Sequence, residues 1–302
     1  MKKTALLTSL FLALFAGIIY LLEIKYKTYV TPVDVLFTDI DNEIGSVNKI
    51  YIGGSHTGTF HTYSNDSTDI IRNFSFQGLD LFKQYAILKK YIPLAPHLKK
   101  VYIGLDYEML GQNQALSGEE YLDRQFYKYI DTLYKNNITN ILMAKSNFYR
   151  SNRDLAFLVQ QNNSTEGLKK NKKKEDLNFI PVTTGKKLNL KDCKKRALEH
   201  SVIKFKRSLS PENLAYLDAI IKLCAKNNIE LIIFNPPKSD CFCDNVDPKN
   251  SLWAKTQIDS LLNTNNLKYY DFWRDTSFQD SDFEDYDHLN VLGVKKILGK
   301  LN

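Results

Sequence analysis

The sequence predicts an α/β protein: a three-layer α/β/α domain around a central, mostly parallel five-stranded sheet, preceded by an N-terminal transmembrane helix. Three observations carry this. Short β-branched and aromatic runs at 47–53, 69–75, 99–105, 229–235 and 267–272 alternate with helical patterns, as a parallel sheet with helices on both faces requires. The run Val101-Tyr102-Ile103 lacks polar alternation, as in a strand covered on both sides. Finally, an apolar run from Ala5 to Leu22 opens the chain. As a helix it spans about 27 Å, close to a bilayer core of about 30 Å.

Taken in order, Lys2 and Lys3 precede that run, and no small-x-small cleavage site follows it: Ala13, Ala16 and Gly17 lie inside. Residues 1–22 therefore read as an uncleaved signal anchor in preference to the rival, a cleaved signal peptide, with the lysines in the cytoplasm and the body outside, although Lys25 and Lys27 weaken the charge asymmetry. Residues 23–46, with Pro32, read as an irregular or partly extended linker, and 47–302 as the domain. The strand at 47–53 ends in Gly53-Gly54, and Ser55 opens a turn into helix or loop through 65. After the strand at 69–75 and Gly78, apolar spacing predicts a helix over 79–92, stopped by Pro93. Beyond the strand at 99–105, a helical and lysine-rich insertion is expected at about 110–210. Residues 118–160 read as mostly helical, with Ser117 as a cap, and the polar, weakly periodic 161–197 as an insertion that is partly disordered or folds over the site. Order returns with helices at 211–227, 251–264 and 290–300, and with strands at 229–235 and 267–272.

The chain has 302 residues, 43% hydrophobic and 12% aromatic, enough for a sizeable core. Its net charge is +7, concentrated at Lys169–Lys174 and Lys186–Arg196. This patch reads as a solvated loop or as a contact for anionic headgroups or acidic glycan. Nucleic acid is not expected for a body outside the cytoplasm. The 4 cysteines have no zinc-ribbon spacing. Cys224 falls on an apolar helical face, Cys241 and Cys243 are too close for an easy mutual disulfide, and an oxidising compartment would allow, without requiring, a link from Cys193 to Cys241 or Cys243.

Chemistry is concentrated at the two ends of the domain. A serine becomes a nucleophile when an oriented histidine takes its proton. Ser55 stands at a glycine turn after a strand, and Asp285 lies three residues before His288, a spacing that sets carboxylate beside imidazole in a tight turn. Asp287 is the alternative orienting group, but adjacent side chains usually point apart. Parallel sheets gather the loops after their strands at one edge. Ser55, the Gly78 region, Asp106, the Asn235-Pro236 loop and the 274–288 loop should meet there. His56 and His61 have no acidic neighbour in sequence, so no metal is expected, and the chemistry calls for no cofactor. Asn290 reads as a cap or a brace of the catalytic turn, and Trp273 and Arg274 as buried or sugar-facing groups.

Gly53-Gly54-Ser55 near the first strand and Asp285-x-x-His288 near the C-terminus resemble the SGNH/GDSL hydrolase superfamily. The longer pattern Phe283-x-Asp285-x-Asp287-His288-Leu289-Asn290-x-x-Gly293 resembles a membrane-anchored branch related to polysaccharide O-acetyltransferases and D-alanyl-transfer proteins. The resemblance implies a flavodoxin-like three-layer fold and a triad of Ser55, His288 and Asp285. It also implies an oxyanion hole from the Ser55 N–H, a glycine matched by Gly78, and a side-chain amide. Two departures stand out: Gly54 replaces the family's aspartate, and the third strand ends Gly104-Leu105-Asp106 without the family's asparagine; Asn73, or a residue from a partner protein, is the candidate in its place. The implied activity is ester hydrolysis or acyl transfer on cell-surface or exported polysaccharide, in a bacterial cell envelope. The implied partners are the glycan or acyl-sugar substrate, membrane lipid around the N-terminal helix, and a multispanning membrane protein that supplies acyl groups. The alternative is a non-catalytic glycan-binding or assembly subunit that retains the fold.

Overall fold

The structure, a computed structural model, describes residues 2–27, 30–62, 68–112, 125–130, 145–148, 190–203, 205–265 and 267–301. By its contacts the chain divides into two units, residues 1–38 with 119–177, and residues 39–118 with 178–302.

The second unit holds the sheet. Five parallel strands run in the order β2-β1-β3-β4-β5: β1 Lys49–Gly53, β2 Ile71–Asn73, β3 Lys100–Gly104, β4 Glu230–Asn235 and β5 Lys268–Asp271. Each is one or more residues shorter than the apolar run that predicts it, and every pairing is parallel rather than most of them. The order is that of a flavodoxin-like doubly wound sheet, whose direction of winding reverses between β1 and β3. A ligand crevice forms at that reversal, beyond the carboxyl ends of the two strands. Ser55 follows one of them and Asp106 the other.

Strand residues alternate between two buried faces. Tyr51, Tyr102, Ile232 and Phe234 join one core with Phe272, Phe283, Leu289, Val294, Ile297 and Leu301. That core seats the last helix, Val291–Leu301, on the sheet. The alternate set (Ile50, Ile52, Val101, Ile103, Leu231 and Ile233) is equally buried, on the opposite face. Helices Leu81–Tyr91 and Ser210–Lys226 pack against each other, and the second of them packs on β4. Their buried stripe, Ala86, Ile87, Leu217, Ile220, Ile221 and Cys224, follows the helical period. Cys224 is core, as its spacing predicts, and burial pushes its thiol up to about 12.

In the first unit, helix α1 (Lys2–Tyr26) contains a stretch long and apolar enough to cross a membrane, Lys3–Tyr26, with mean hydropathy 2.4. Its leucines and phenylalanines are exposed along its length, for example Leu6, Phe11 and Leu14.

Two expectations need correction. The linker at 23–46 is mostly helical where it is described: α1 runs on to Tyr26, and short helices α2 (Pro32–Leu36) and α3 (Ile40–Glu43) and a 3-10 turn at Ile44–Ser46 follow, joined by a few turn and extended residues. Pro32 starts a helix instead of breaking one. It stands at the first helical position, where its missing N–H costs nothing, behind a Thr31–Asp34 capping box. The segment after Ser55 turns into a helix as expected, a 3-10 helix over Ser55–Thr62. Second, the polar stretch at 161–197 ends in a true helix, Leu190–Leu198, which buries Cys193 and Ala197 four residues apart. It belongs to the sheet-containing unit. Ser117, most of 118–160, and 161–189 with the first lysine cluster lie outside the described residues.

Candidate active site

The turn after β1 is built on small residues. Gly53 and Gly104 are register partners on β1 and β3. A Cβ on either would overlap the side chain of Thr57. With both positions bare, Thr57 closes over the strand ends, and the 3-10 helix starts directly at Ser55. The Thr57 N–H donates to Gly54 O at 3.1 Å. Asn73 clamps the same turn from β2: its Nδ2 donates to Thr57 O at 2.9 Å and Gly58 O at 3.1 Å, and its Oδ1 accepts from the Ser75 N–H at 2.8 Å. Both amide hydrogens of Asn73 are thus engaged by backbone. The oxyanion role expected of Asn73 gives way to a structural one.

The loop between β5 and the last helix folds back on itself. Phe283 and Leu289 form an antiparallel bridge, and the Glu284 N–H donates to His288 O at 2.9 Å. Asn290 both caps the helix and braces the loop. Its Oδ1 accepts from the Leu292 and Gly293 N–H groups, and its Nδ2 donates to Ser281 O and Phe283 O. Inside this loop Asp285 Oδ1 accepts from the backbone N–H groups of Asp287 (3.0 Å) and His288 (2.8 Å). The carboxylate thereby shapes the turn that carries the histidine.

The two ends meet. His288 Nε2 lies 2.9 Å from Ser55 Oγ, and His288 Nδ1 lies 3.0 Å from both oxygens of Asp285. A carboxylate only accepts, so Nδ1 carries the hydrogen and Nε2 is left to receive the serine proton. Burial pushes the Asp285 carboxyl up, but the hydrogen bond and charge of His288 outweigh it, and the net value is lowered. Gly78 sits in a left-handed turn (φ 69°) closed by the Leu79 N–H on Phe76 O. The Phe76 N–H bonds Gly53 O at 3.1 Å, which sets this turn beside the end of β1.

Asp287 does not point away from His288. Its Oδ1 is 3.5 Å from Nδ1, and the carboxylate is wholly buried in a charged network beneath the triad. Arg196 holds Asp287 through Nε and Nη2 at 3.1–3.2 Å, and His56 Nε2 lies 3.0 Å from its Oδ2. On the other side of the ring, His56 Nδ1 lies 2.8 Å from Asp106 Oδ2, and Asp106 Oδ1 is 2.7 Å from Lys238 Nζ. His200 Nδ1 meets Glu108 at 2.6 Å. Burial pushes both Asp106 and Asp287 up. For Asp106 the charges of His56 and Lys238 reverse this; for Asp287 the charge of His288, the His56 hydrogen bond and Arg196 do so. Both carboxyls end well below the usual range. Burial pulls His56 down, but the charge of Asp106 and the hydrogen bonds to Asp106 and Asp287 prevail over Lys238, and its pKa is raised to about 9.

The ligand atoms of His56, Asp287 and His288 lie within 4.8 Å of one another, close enough to share a cation. Each already has another partner: Asp106 for His56, Arg196 for Asp287, and Asp285 and Ser55 for His288. The His61 side chain lies outside the described residues.

Arg196, His200 and Lys238 escape a sequence reading. The strand-edge rule points at the loop that carries Lys238, but nothing local marks its charge as buried. Arg196 and His200 lie in and just after the lysine-rich run, indistinguishable there from solvated charges. A disulfide between Cys193 and Cys241 ties their helix to the helix Asp240–Asn245, which resolves the choice left to Cys193. Cys243 is instead free and buried.

Beyond β4 and β5 lies a groove of about 860 Å³, lined by Tyr107, Trp273, Phe272, Lys255, Asp271 and Arg274 among others. Trp273 is largely buried, its ring 5.0 Å from that of Tyr107. Arg274 donates to Asp244 and to Cys243 O. Comparison with known proteins finds no matching family model and no curated relative.

Proposed function

We propose that this chain is an SGNH-type serine acyl esterase or O-acyltransferase. In this reading α1 anchors it in a membrane, and its α/β unit works outside the cytoplasm on cell-surface or exported polysaccharide. One observation carries the reading: Ser55 Oγ, His288 and Asp285 form a hydrogen-bonded relay with steps of 2.9 and 3.0 Å. It stands at the reversal point of a doubly wound sheet, where ligands bind.

The chemistry follows from that relay. His288 Nε2 takes the Ser55 hydroxyl proton as Oγ bonds to an ester carbonyl carbon. The tetrahedral oxyanion is met by the Ser55 N–H, the first of its 3-10 helix and so without a partner inside it, and by the Gly78 turn. Collapse expels the alcohol, which leaves with the proton from His288. A sugar hydroxyl or water then gives its proton to His288 and attacks the acyl-serine, and Ser55 regains its hydrogen. Only the acceptor separates transferase from esterase. The membrane helix suits a donor delivered by a multispanning acyl-supplying protein.

A second reading, a non-catalytic glycan-binding or assembly subunit, is favoured by one fact. Asn73 is engaged by backbone and Asp106 is a carboxylate, so neither supplies the neutral amide of the resembled family. Labelling of the full chain in detergent with a fluorophosphonate separates the two. The enzyme reading expects labelling of wild type that is lost in Ser55→Ala and His288→Ala. No labelling of folded wild type would sink it.

A further inference from the structure

The ring of His56 has a carboxylate on each nitrogen: Asp106 Oδ2 at 2.8 Å from Nδ1, and Asp287 Oδ2 at 3.0 Å from Nε2. Ionised carboxylates have no hydrogen to give. An imidazole so placed must carry both hydrogens itself unless one carboxyl takes a proton. Neither is placed to do so, because each has a cation of its own. Lys238 Nζ lies 2.7 Å from Asp106, and Arg196 makes three contacts of 3.1–3.2 Å with Asp287. All of these except Arg196 are buried, so their charges act through a poorly screening medium.

We propose that His56 is an imidazolium at neutral pH, and that its charge, one residue from Ser55, supplies the positive field that a neutral amide donor would otherwise supply to the oxyanion. Its ring centroid lies 4.5 Å from that of His288. It is not a catalytic residue, because both its hydrogens are bound to carboxylates. It acts by position and charge. The charged and titratable groups that face it are Asp106 from the end of β3, Lys238 from the loop after β4, Asp287 and His288 from the C-terminal loop, and Arg196 and His200 from the disulfide-tied segment. The same charge opposes a second imidazolium at His288 during proton transfer. Asp285 and Asp287, at 3.0 and 3.5 Å from His288 Nδ1, offset that repulsion. This arrangement gives a role to the one feature least suited to an oxyanion site, the carboxylate of Asp106. With its charge matched by Lys238 and His56, it serves as the holder of a cation.

The catalytic half of this inference rests on the esterase or transferase reading, whereas the charge state does not, so two measurements are paired. The first records the imidazole nitrogens of ring-labelled full chain in detergent micelles by NMR. The His56 signal is assigned by His56→Gln or, should that variant not fold, by single Gln replacements of the other four histidines. Both nitrogens protonated at pH 7.5, with the proton lost only near pH 9, is the expected result. A neutral ring at pH 7.5 overturns the proposal. The second follows fluorophosphonate labelling rate against pH. Wild type is expected to lose rate as pH rises through about 9, and His56→Gln to be slower by about 10–100-fold below that pH and to lack the alkaline fall. A wild-type profile without that fall, or a His56→Gln rate equal to wild type, overturns the electrostatic role. A charged His56 in a protein that takes no probe at any pH leaves the charge assignment standing and sinks the enzyme reading instead.

Discussion

Gly54 leaves open the space that Asp106 borders: a Cβ at position 54 would lie 3.8 Å from Asp106 Oδ2 and 3.0 Å from Met109 Cε. The resembled superfamily has its carboxylate at the first position and an amide at the second, and here the carboxylate stands at the second. Gly54→Asp would bring two carboxylates together in a buried place. We expect it to destabilise the protein by about 1–3 kcal/mol, through repulsion and tight packing against Met109. Asp106→Asn alone leaves His56 and Lys238 short of an anion. The double variant restores one, so a thermodynamic cycle of thermal unfolding should show favourable coupling of about 0.5–3 kcal/mol. Strict additivity would mean that the two sites do not share a charge.

Stability should respond to pH on both sides of neutrality. Asp106, Asp285 and Asp287 have values lowered by folding, so their contribution is present above the ordinary carboxylate range and is lost as pH falls below about 4. His56 is raised from its ordinary 6.5 to about 9. Its contribution is whole below pH 6.5 and is lost as pH rises to about 9. Thermal melts should therefore peak between about pH 4 and 6.5 and decline toward pH 9, and His56→Gln should flatten the decline. A melting temperature that rises from pH 6.5 to 9 would contradict the charge network.

Asp285 and Asp287 should separate by phenotype. Asp285 is 41% exposed at its side chain and holds His288 from the surface. Asp285→Asn is expected to fold normally and to slow Ser55 labelling by about 10²–10⁴-fold, through loss of the oriented tautomer. Asp287 is wholly buried between Arg196 and His56. Asp287→Asn leaves two cations short of their anion and should cost about 3–5 kcal/mol of stability. Melting curves and labelling rates, taken together on both variants, decide this.

Reduction should reach the site through the chain. The Cys193–Cys241 bond, across 48 residues, fastens the helix that carries Arg196. Removing it with Cys193→Ser is expected to destabilise the protein by about 2–4 kcal/mol. It should also lower labelling below what Cys243→Ser does, since Cys243 is free and holds nothing beyond its own contacts. Equal melting temperatures for wild type with and without reductant would exclude the tie.

The layers were legible in the amino-acid order alone. Strand and helix periods, the apolar run at the N-terminus and the stop signals are local properties, and they placed all five strands and the helices that cover them. That order also singled out Ser55, Asp285 and His288, because turn glycines and a three-residue spacing are written in the chain. The rest came with the assembled fold. That Pro32 starts a helix depended on the hydrogen bonds of Thr31 and Asp34. That Asn73 is a brace depended on which carbonyls lay opposite its amide. That Asp106, Lys238 and Asp287 form one buried set, with the half-buried Arg196 at its edge, depended on four distant segments arriving at one strand edge. Burial, which turns a charge from a solvated group into half of a pair, is a property of the assembled chain, and no stretch of sequence contains it.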